Sequence, residues 1–244
     1  MSRETLTSIL WWSCLVVAPL LLIAIELFHP AGFTQDPGMY EYLSGPQPHT
    51  PEHKALAYFG PWWWFTLHMI QTPAVCLVAL GLYLITREIT REVGTWAWLT
   101  ACVSRAATFV FVVYYTVLDA VGGIGLGRTI VIAERLAQAP ADQPHLTPDQ
   151  LAGVKLMLNQ LWTDPWVGGV GSVISQTGSW AAFVAALFAA AALFLAKRAA
   201  WLPLVLLVVF GWELQLSHAA YHGPIAFTAL IGAALWLRPR PKEG

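Results

Sequence analysis

Residues 62–84 read WWWFTLHMIQTPAVCLVALGLYL, an apolar stretch without lysine, arginine, aspartate or glutamate. A helix needs about 20 predominantly apolar residues to cross the hydrocarbon core of a bilayer, so this stretch predicts a transmembrane helix. The tryptophans at its start suit the membrane–water boundary, where amphipathic rings are enriched. Most of the chain's 13 tryptophans, Trp64 included, fall at such boundaries and are interpreted as membrane anchors.

The composition of the whole chain agrees with a membrane protein. The 244 residues are 57% hydrophobic and 11% charged, with a mean hydropathy of +0.58, whereas soluble domains carry roughly 25% charged residues. The 13 basic and 14 acidic residues nearly cancel, which argues against a nucleic-acid partner because such a partner requires a basic face. The three cysteines lie in apolar stretches, so no disulfide is predicted.

The same length criterion applies along the whole chain. It predicts an all-α fold, a polytopic integral membrane bundle of about six helices that forms a single domain over residues 1–244. The predicted spans are residues 9–28, 62–84, 96–118, 170–195, 199–215 and 217–237. The tight turn between the last two spans is predicted near residues 213–217 or at Gly223-Pro224, because both places contain polar or helix-breaking residues.

The distribution of basic residues predicts the orientation of these spans. With six spans, one side of the membrane receives Arg3, Arg87, Arg91, Lys197, Arg198, Arg238, Arg240 and Lys242. Lysine and arginine collect on the cytoplasmic side, so both termini are predicted to be cytoplasmic, in a bacterial inner membrane. Residues 29–61 and 119–169 are then outer loops.

The second outer loop should contain helical structure. Leu151, Val154 and Leu158 recur at helical spacing after Thr147, a favourable N-cap, and this predicts a short amphipathic helix lying on the outer face. A shorter helix is predicted at residues 129–137. The glycine-rich residues 122–128 follow a membrane helix rather than a strand and lack the P-loop lysine, so they are interpreted as a flexible helix ending and not as a phosphate site.

Ionisable side chains from separate spans fall at one depth, toward the outer leaflet, and such groups mark functional sites in membranes. His218 and His222 are four residues apart, and on a helix both imidazoles would face one metal ion. The predicted ligands of a transition metal or haem are His218, His222, His68, Asp119 and Glu26. His29, which precedes Pro30, is predicted to end its helix rather than to bind metal. The alternative is that these histidines simply bond to backbone carbonyls or water.

Arg105 lies about nine residues inside the third predicted span, where an arginine needs a partner or a water-filled cavity. One interpretation is a pocket for an anionic or carbonyl ligand, with Gln71 and Gln176 on neighbouring spans. The other is that Arg105 snorkels or ties helices together through backbone carbonyls. On the fourth span, small residues recur from Gly171 to Ala192, which predicts close packing against a neighbouring helix or another membrane subunit.

Four of the candidate ligands, His68, Asp119, His218 and His222, resemble the ligand pattern of the membrane zinc hydrolases that include alkaline ceramidases and adiponectin receptors. The resemblance implies a zinc-dependent hydrolase with these four residues at the metal. The chain departs from that pattern at Trp64, where the family's serine is expected, and in having six predicted helices rather than seven.

Three functions follow from these patterns. The first is a non-catalytic accessory subunit, or a cofactor-binding or ligand-binding membrane module, that holds a metal or small ligand near the outer face. The second is a metal-dependent hydrolase or redox enzyme acting on a lipid-like substrate. A small-solute transporter built around Arg105 ranks third, because the paired broken helices and internal symmetry often seen in transporters are missing from the sequence.

Overall fold

The computed structural model describes residues 2–30, 38–45, 60–219 and 221–238, and within these ranges the chain forms helices and no β-strand. The helices are α1 (Arg3–Trp12), α2 (Ala18–Glu26), α3 (Met39–Ser44), α4 (Pro61–Thr86), α5 (Thr95–Leu118), α6 (Leu126–Ala137), α7 (Pro148–Thr163), α8 (Val173–Leu195), α9 (Trp201–Leu216) and α10 (His222–Leu237). Two π-helical segments, Ser13–Val17 and Asp119–Gly125, join α1 to α2 and α5 to α6. Residues 31–37 and 46–59 of the first predicted outer loop lie outside the described residues, as do Arg240 and Lys242.

Four stretches among the described residues are long and apolar enough to cross a membrane: Glu4–Glu26, Pro61–Thr86, Thr95–Ala137 and Val173–Leu195. The helices α9 and α10 have 16 residues each, so each is about 24 Å long, shorter than the roughly 30 Å hydrocarbon core. The all-helical fold and the presence of several membrane-compatible helices are therefore confirmed. The count of six spans is not established by helix length.

The third predicted span does not end at residue 118. The helix continues through Asp119–Gly125 into α6 and ends at Ala137. The glycines do not break it, because a π-helical turn keeps the backbone bonded: the N–H of Leu126 donates to the carbonyl of Val121, five residues earlier. The flexible helix ending predicted here is wrong, and much of the predicted outer loop 119–169 is helical.

The chain divides into two compact units. The first unit comprises Met1–Leu27, Pro73–Val113 and Thr177–Gly244, and the second comprises Phe28–Thr72 and Tyr114–Gln176. Both α4 and α5 contribute residues to each unit. The single domain over residues 1–244 stays a prediction.

The second unit has its own hydrophobic core, in which α3, α6 and α7 pack around Trp64. The amphipathic pattern predicted for α7 is confirmed, since Leu158 is buried and Leu151 and Val154 pack against this core. Thr147 is the N-cap, as predicted. Its side chain accepts from the N–H of Gln150, and the Gln150 side chain accepts from the N–H of Thr147, which forms a capping box.

In the first unit, the small residues of α8 allow its neighbours to approach closely. Ser104 on α5 donates its hydroxyl to the carbonyl of Ala185 at 2.8 Å. On α9, a Cβ at Gly211 would lie 2.8 Å from the Cβ of Ala186. The small-residue face predicted for a helix or another subunit therefore packs, within the first unit, against helices of the same chain.

Candidate functional site

Two buried histidines lie side by side in the second unit. His29 and His68 are 5% and 4% exposed, and their ring centroids are 5.4 Å apart. One ring nitrogen of His29 lies within 4.8 Å of one ring nitrogen of His68. The indole of Trp64 borders both rings, with centroid distances of 5.1 Å to His29 and 4.7 Å to His68. His29 and His68 are called the histidine pair below.

Backbone carbonyls fix the proton positions of both imidazoles. His68 Nδ1 lies 2.7 Å from the carbonyl oxygen of Trp64, and His29 Nδ1 lies 2.8 Å from that of Pro30. A carbonyl oxygen only accepts, so Nδ1 must be the protonated donor in each ring. In a neutral imidazole the lone pair is then on Nε2. Metal-binding histidines have this same arrangement, with one nitrogen donating to a carbonyl and the other binding the ion.

The π-helical segment explains why His68 can sit where it does. A Cβ at Gly123 would overlap the imidazole Cγ of His68, so the ring packs directly on the glycine backbone. One residue earlier, the carbonyl of Gly122 accepts from Trp64 Nε1 at 2.9 Å. The glycine run therefore serves close approach of the histidine and tryptophan to the helix, a common role of glycine in packed helices.

Asp119 begins the same π-helical segment and adds a buried carboxyl to the second unit. It is 1% exposed, and its Oδ2 lies 3.0 Å from Thr72 Oγ1, on the helix turn that follows His68. Its Oδ1 has no hydrogen-bond partner among the described residues. A buried carboxyl oxygen is costly without a partner, so this position favours a proton or a cation.

His29 lies beyond the first membrane-compatible helix, and burial governs its protonation. Removal from water lowers the pKa of His29 to about 4, and the bond to the Pro30 carbonyl opposes this only partly. The imidazole is therefore neutral at pH 7, the form that binds metal ions.

The predicted pair His218 and His222 belongs to the first unit. The two histidines do not lie on one continuous helix. The helix α9 ends at Leu216 and α10 begins at His222, so His218 lies in the turn between them. His222 Nδ1 lies 2.7 Å from Glu213 Oε2, the carboxylate–histidine arrangement that leaves Nε2 to bind an ion. Glu26 is fully buried in the same unit, and a Cβ at Gly223 would lie 3.2 Å from its Cγ.

Arg105 binds the end of a helix. Its Nη2 donates to the carbonyls of Thr86 and Ile89, and its Nε lies 3.4 Å from Thr86 Oγ1. The guanidinium also lies 5.8 Å from the ring centre of Tyr83. These contacts, all within the first unit, match the interpretation in which Arg105 ties helices together through carbonyls, because the last carbonyls of a helix lack intrahelical donors.

The two predicted neighbours of Arg105 belong to the second unit. Gln71 is buried and donates to the hydroxyl of Tyr115 at 2.8 Å, while Gln176 is exposed. A ligand pocket built from Arg105, Gln71 and Gln176 stays a prediction.

Sequence reasoning missed two members of the site. His29 was assigned to the helix end, although it falls toward the outer leaflet with the other ionisable groups and this was a usable signal. Trp64 was assigned to the aromatic belt with Trp62 and Trp63. The structure differs, because Trp64 is 4% exposed while Trp62 is 57% exposed, and a neighbouring position in a tryptophan run does not reveal which ring faces inward.

No protein-family model, curated protein or solved structure matches this chain.

Proposed function

We propose that this chain is a membrane module that binds a transition-metal ion through Nε2 of His29 and Nε2 of His68. The observation that carries the proposal is the pair of Nδ1 donations to backbone carbonyls, because it presents two imidazoles in the ligand tautomer within one buried cluster. Imidazole suits zinc, copper, iron and nickel. The buried carboxyl of Asp119 supports a cation in the same unit.

The proposed role is to hold an ion, as an accessory subunit or ligand-binding module would, rather than to process a lipid. Both imidazoles are almost completely buried, and a small ion needs far less access than a lipid-like substrate. In the proposed topology, about six helices cross a bacterial inner membrane with both termini in the cytoplasm, and the histidine pair lies toward the outer face.

Metal analysis of the purified protein tests this proposal. We expect about one equivalent of zinc, iron, copper or nickel in the wild type. His29→Ala and His68→Ala should each lower the metal affinity by at least tenfold. Even mutation of a residue that only hydrogen-bonds a metal ligand typically lowers the affinity by about tenfold or more. His145→Ala is the matched control, because His145 is exposed and its Nδ1 also lies near a carbonyl, that of Gln143.

The same assay assigns the remaining ligands. His218→Ala, His222→Ala, Glu26→Gln and Asp119→Asn test the other residues predicted from sequence, and an absorption spectrum of the purified protein tests the haem version through its Soret band. Metal-free wild-type protein that takes up no ion on titration, or His29 and His68 variants that bind like the wild type, would overturn the proposal.

A further inference from the structure

A crevice of about 180 Å³ lies in the first unit, and no histidine lines it. It is found where arginines follow the ends of α4 and α8. Its lining includes Thr7, Trp11, Arg87, Glu88, Leu193 and Arg198. Since pockets for drug-sized ligands have roughly 300–1,000 Å³, this crevice fits only a small group.

The charges of the crevice favour a singly charged anion. Two guanidiniums and one carboxylate line it, which leaves a net charge of one positive unit. Arg87 and Glu88 are 3.5 Å apart with side chains 30% and 68% exposed, and exposed pairs of this kind contribute little stability. Arg87 can therefore exchange this contact for a phosphate, which guanidinium groups bind with two parallel hydrogen bonds.

The backbone places Arg198 beside the crevice. At the end of α8, Lys197 has a φ of 53°, in the left-handed region. The N–H of Arg198 donates to the carbonyl of Leu193, and that of Lys197 donates to Phe194, so the helix ends in a Schellman motif. Lysine occupies the position where glycine is favoured, at a cost of about 1 kcal/mol. The turn thus fixes Arg198 next to Leu193, another lining residue.

Apart from Thr7, the remaining walls are apolar. Trp11 and Leu193 are 7% and 4% exposed, and both lie on helices long and apolar enough to cross a membrane. An anion site with apolar walls at the basic end of such helices is typical of lipid headgroup binding, because the phosphate meets arginine while the glycerol and upper chains meet hydrocarbon. We propose that this crevice binds the headgroup of an anionic phospholipid with a single phosphodiester charge.

Native mass spectrometry of detergent-purified, delipidated protein tests the proposal, with phosphatidylglycerol and phosphatidylcholine as the added lipids. Phosphatidylglycerol should bind more tightly than phosphatidylcholine. Arg87→Gln and Arg198→Gln should each weaken phosphatidylglycerol binding by about fivefold, as expected for one arginine near an anionic headgroup. Thr7→Trp should also weaken it, because the indole fills space in the crevice without changing its charge.

Arg91→Gln is the matched control, since Arg91 is exposed and close in sequence but does not line the crevice. It should leave lipid binding unchanged, and thermal unfolding checks that each variant is folded. Equal binding of the two lipids, or folded Arg87, Arg198 and Thr7 variants that all bind like the wild type, would overturn the proposal. Displacement of phosphatidylglycerol by millimolar inorganic phosphate would overturn it too, because the ligand would then be a soluble anion. No histidine lines the crevice, so lipid binding and metal binding are tested with different variants, and a failure of one proposal is distinguishable from a failure of the other.

Discussion

The imidazole of His29 couples folding to pH. Burial lowers its pKa from 6.5 to about 4, so as the pH falls the unfolded chain takes up this proton first. The stability that neutral His29 contributes is fully present above pH 6.5 and is lost as the pH falls through about 4, with a total change on the order of 3 kcal/mol. We expect the thermal midpoint of metal-free protein to fall across this window, measured at several pH values.

The variant His29→Gln isolates this effect, because glutamine retains hydrogen bonding but does not titrate. Its midpoint should depend less on pH between 6.5 and 4 than that of the wild type. His145→Gln, which removes an exposed histidine, should keep the full dependence. A wild-type curve no steeper than that of His29→Gln would contradict the coupling.

Gly123 tests the close packing of His68. In Gly123→Ala the new methyl group would overlap the imidazole, and overpacking of this kind costs about 1–3 kcal/mol. We expect a lower thermal midpoint and weaker metal binding. Gly153 on α7 is the control, because a Cβ there meets nothing within 4 Å and Gly153→Ala should raise helix stability by up to about 1 kcal/mol. Equal midpoints for the two variants would show that the ring does not depend on Gly123.

For individual residues, the sequence predicted the candidate site residues better than it predicted which of them lie in contact. His68 and Asp119 were identified because ionisable groups in apolar stretches are conspicuous. His29 was passed over because the following proline explained it as a helix end. His29 lies close to His68 because segments distant in sequence are in contact, and the periodicity of a sequence does not predict such contacts.

Among whole elements, the end of α4 is held in part by a side chain from α5, because the Thr86 carbonyl accepts both from Arg105 and from the N–H of Ile89. Arg105 donates to the carbonyls of Thr86 and Ile89, and removing a donor from buried carbonyls costs about 1–3 kcal/mol. We expect Arg105→Leu to lower the thermal midpoint and Arg105→Lys to lie between it and the wild type, because lysine keeps the charge but not the planar fork.

Arg91→Leu is the control for Arg105, since Arg91 is exposed and surface substitutions usually change stability by less than about 0.5 kcal/mol. Metal content should be normal in Arg105→Leu. A stable Arg105→Leu protein that has lost metal or another copurifying ligand would instead support the predicted ligand pocket around Arg105, Gln71 and Gln176.

Elements with strong local signals were predicted well, and elements shaped by packing were not. The start of α7 followed from Thr147 and Pro148, because a cap is a local interaction. The continuation of α5 through Asp119–Gly125 did not follow, because glycines normally end helices. Here Trp64 and His68 pack against those glycines, and this tertiary contact overrides the local preference.

For the whole molecule, the number of crossings is decided by α9 and α10. Their 16 residues each fall short of the usual 20, yet a short apolar helix can still cross where the bilayer thins or flanking residues adapt. The alternative is a hairpin that enters and leaves on the cytoplasmic side. The basic residues do not separate these possibilities, because an even number of crossings leaves the C-terminus on the same side either way.

The turn between α9 and α10 does separate them. We expect Tyr221→Cys, at a side chain that is 64% exposed, to react with a membrane-impermeant thiol reagent added outside intact cells, because six crossings place this turn outside. The background has Cys14, Cys76 and Cys102 replaced by alanine. Gln143→Cys is the outer control and Glu92→Cys the cytoplasmic control, since both positions are exposed and lie on opposite predicted sides. If Tyr221→Cys reacts only after the cells are opened, as Glu92→Cys should, the last two helices form a hairpin and only four helices cross.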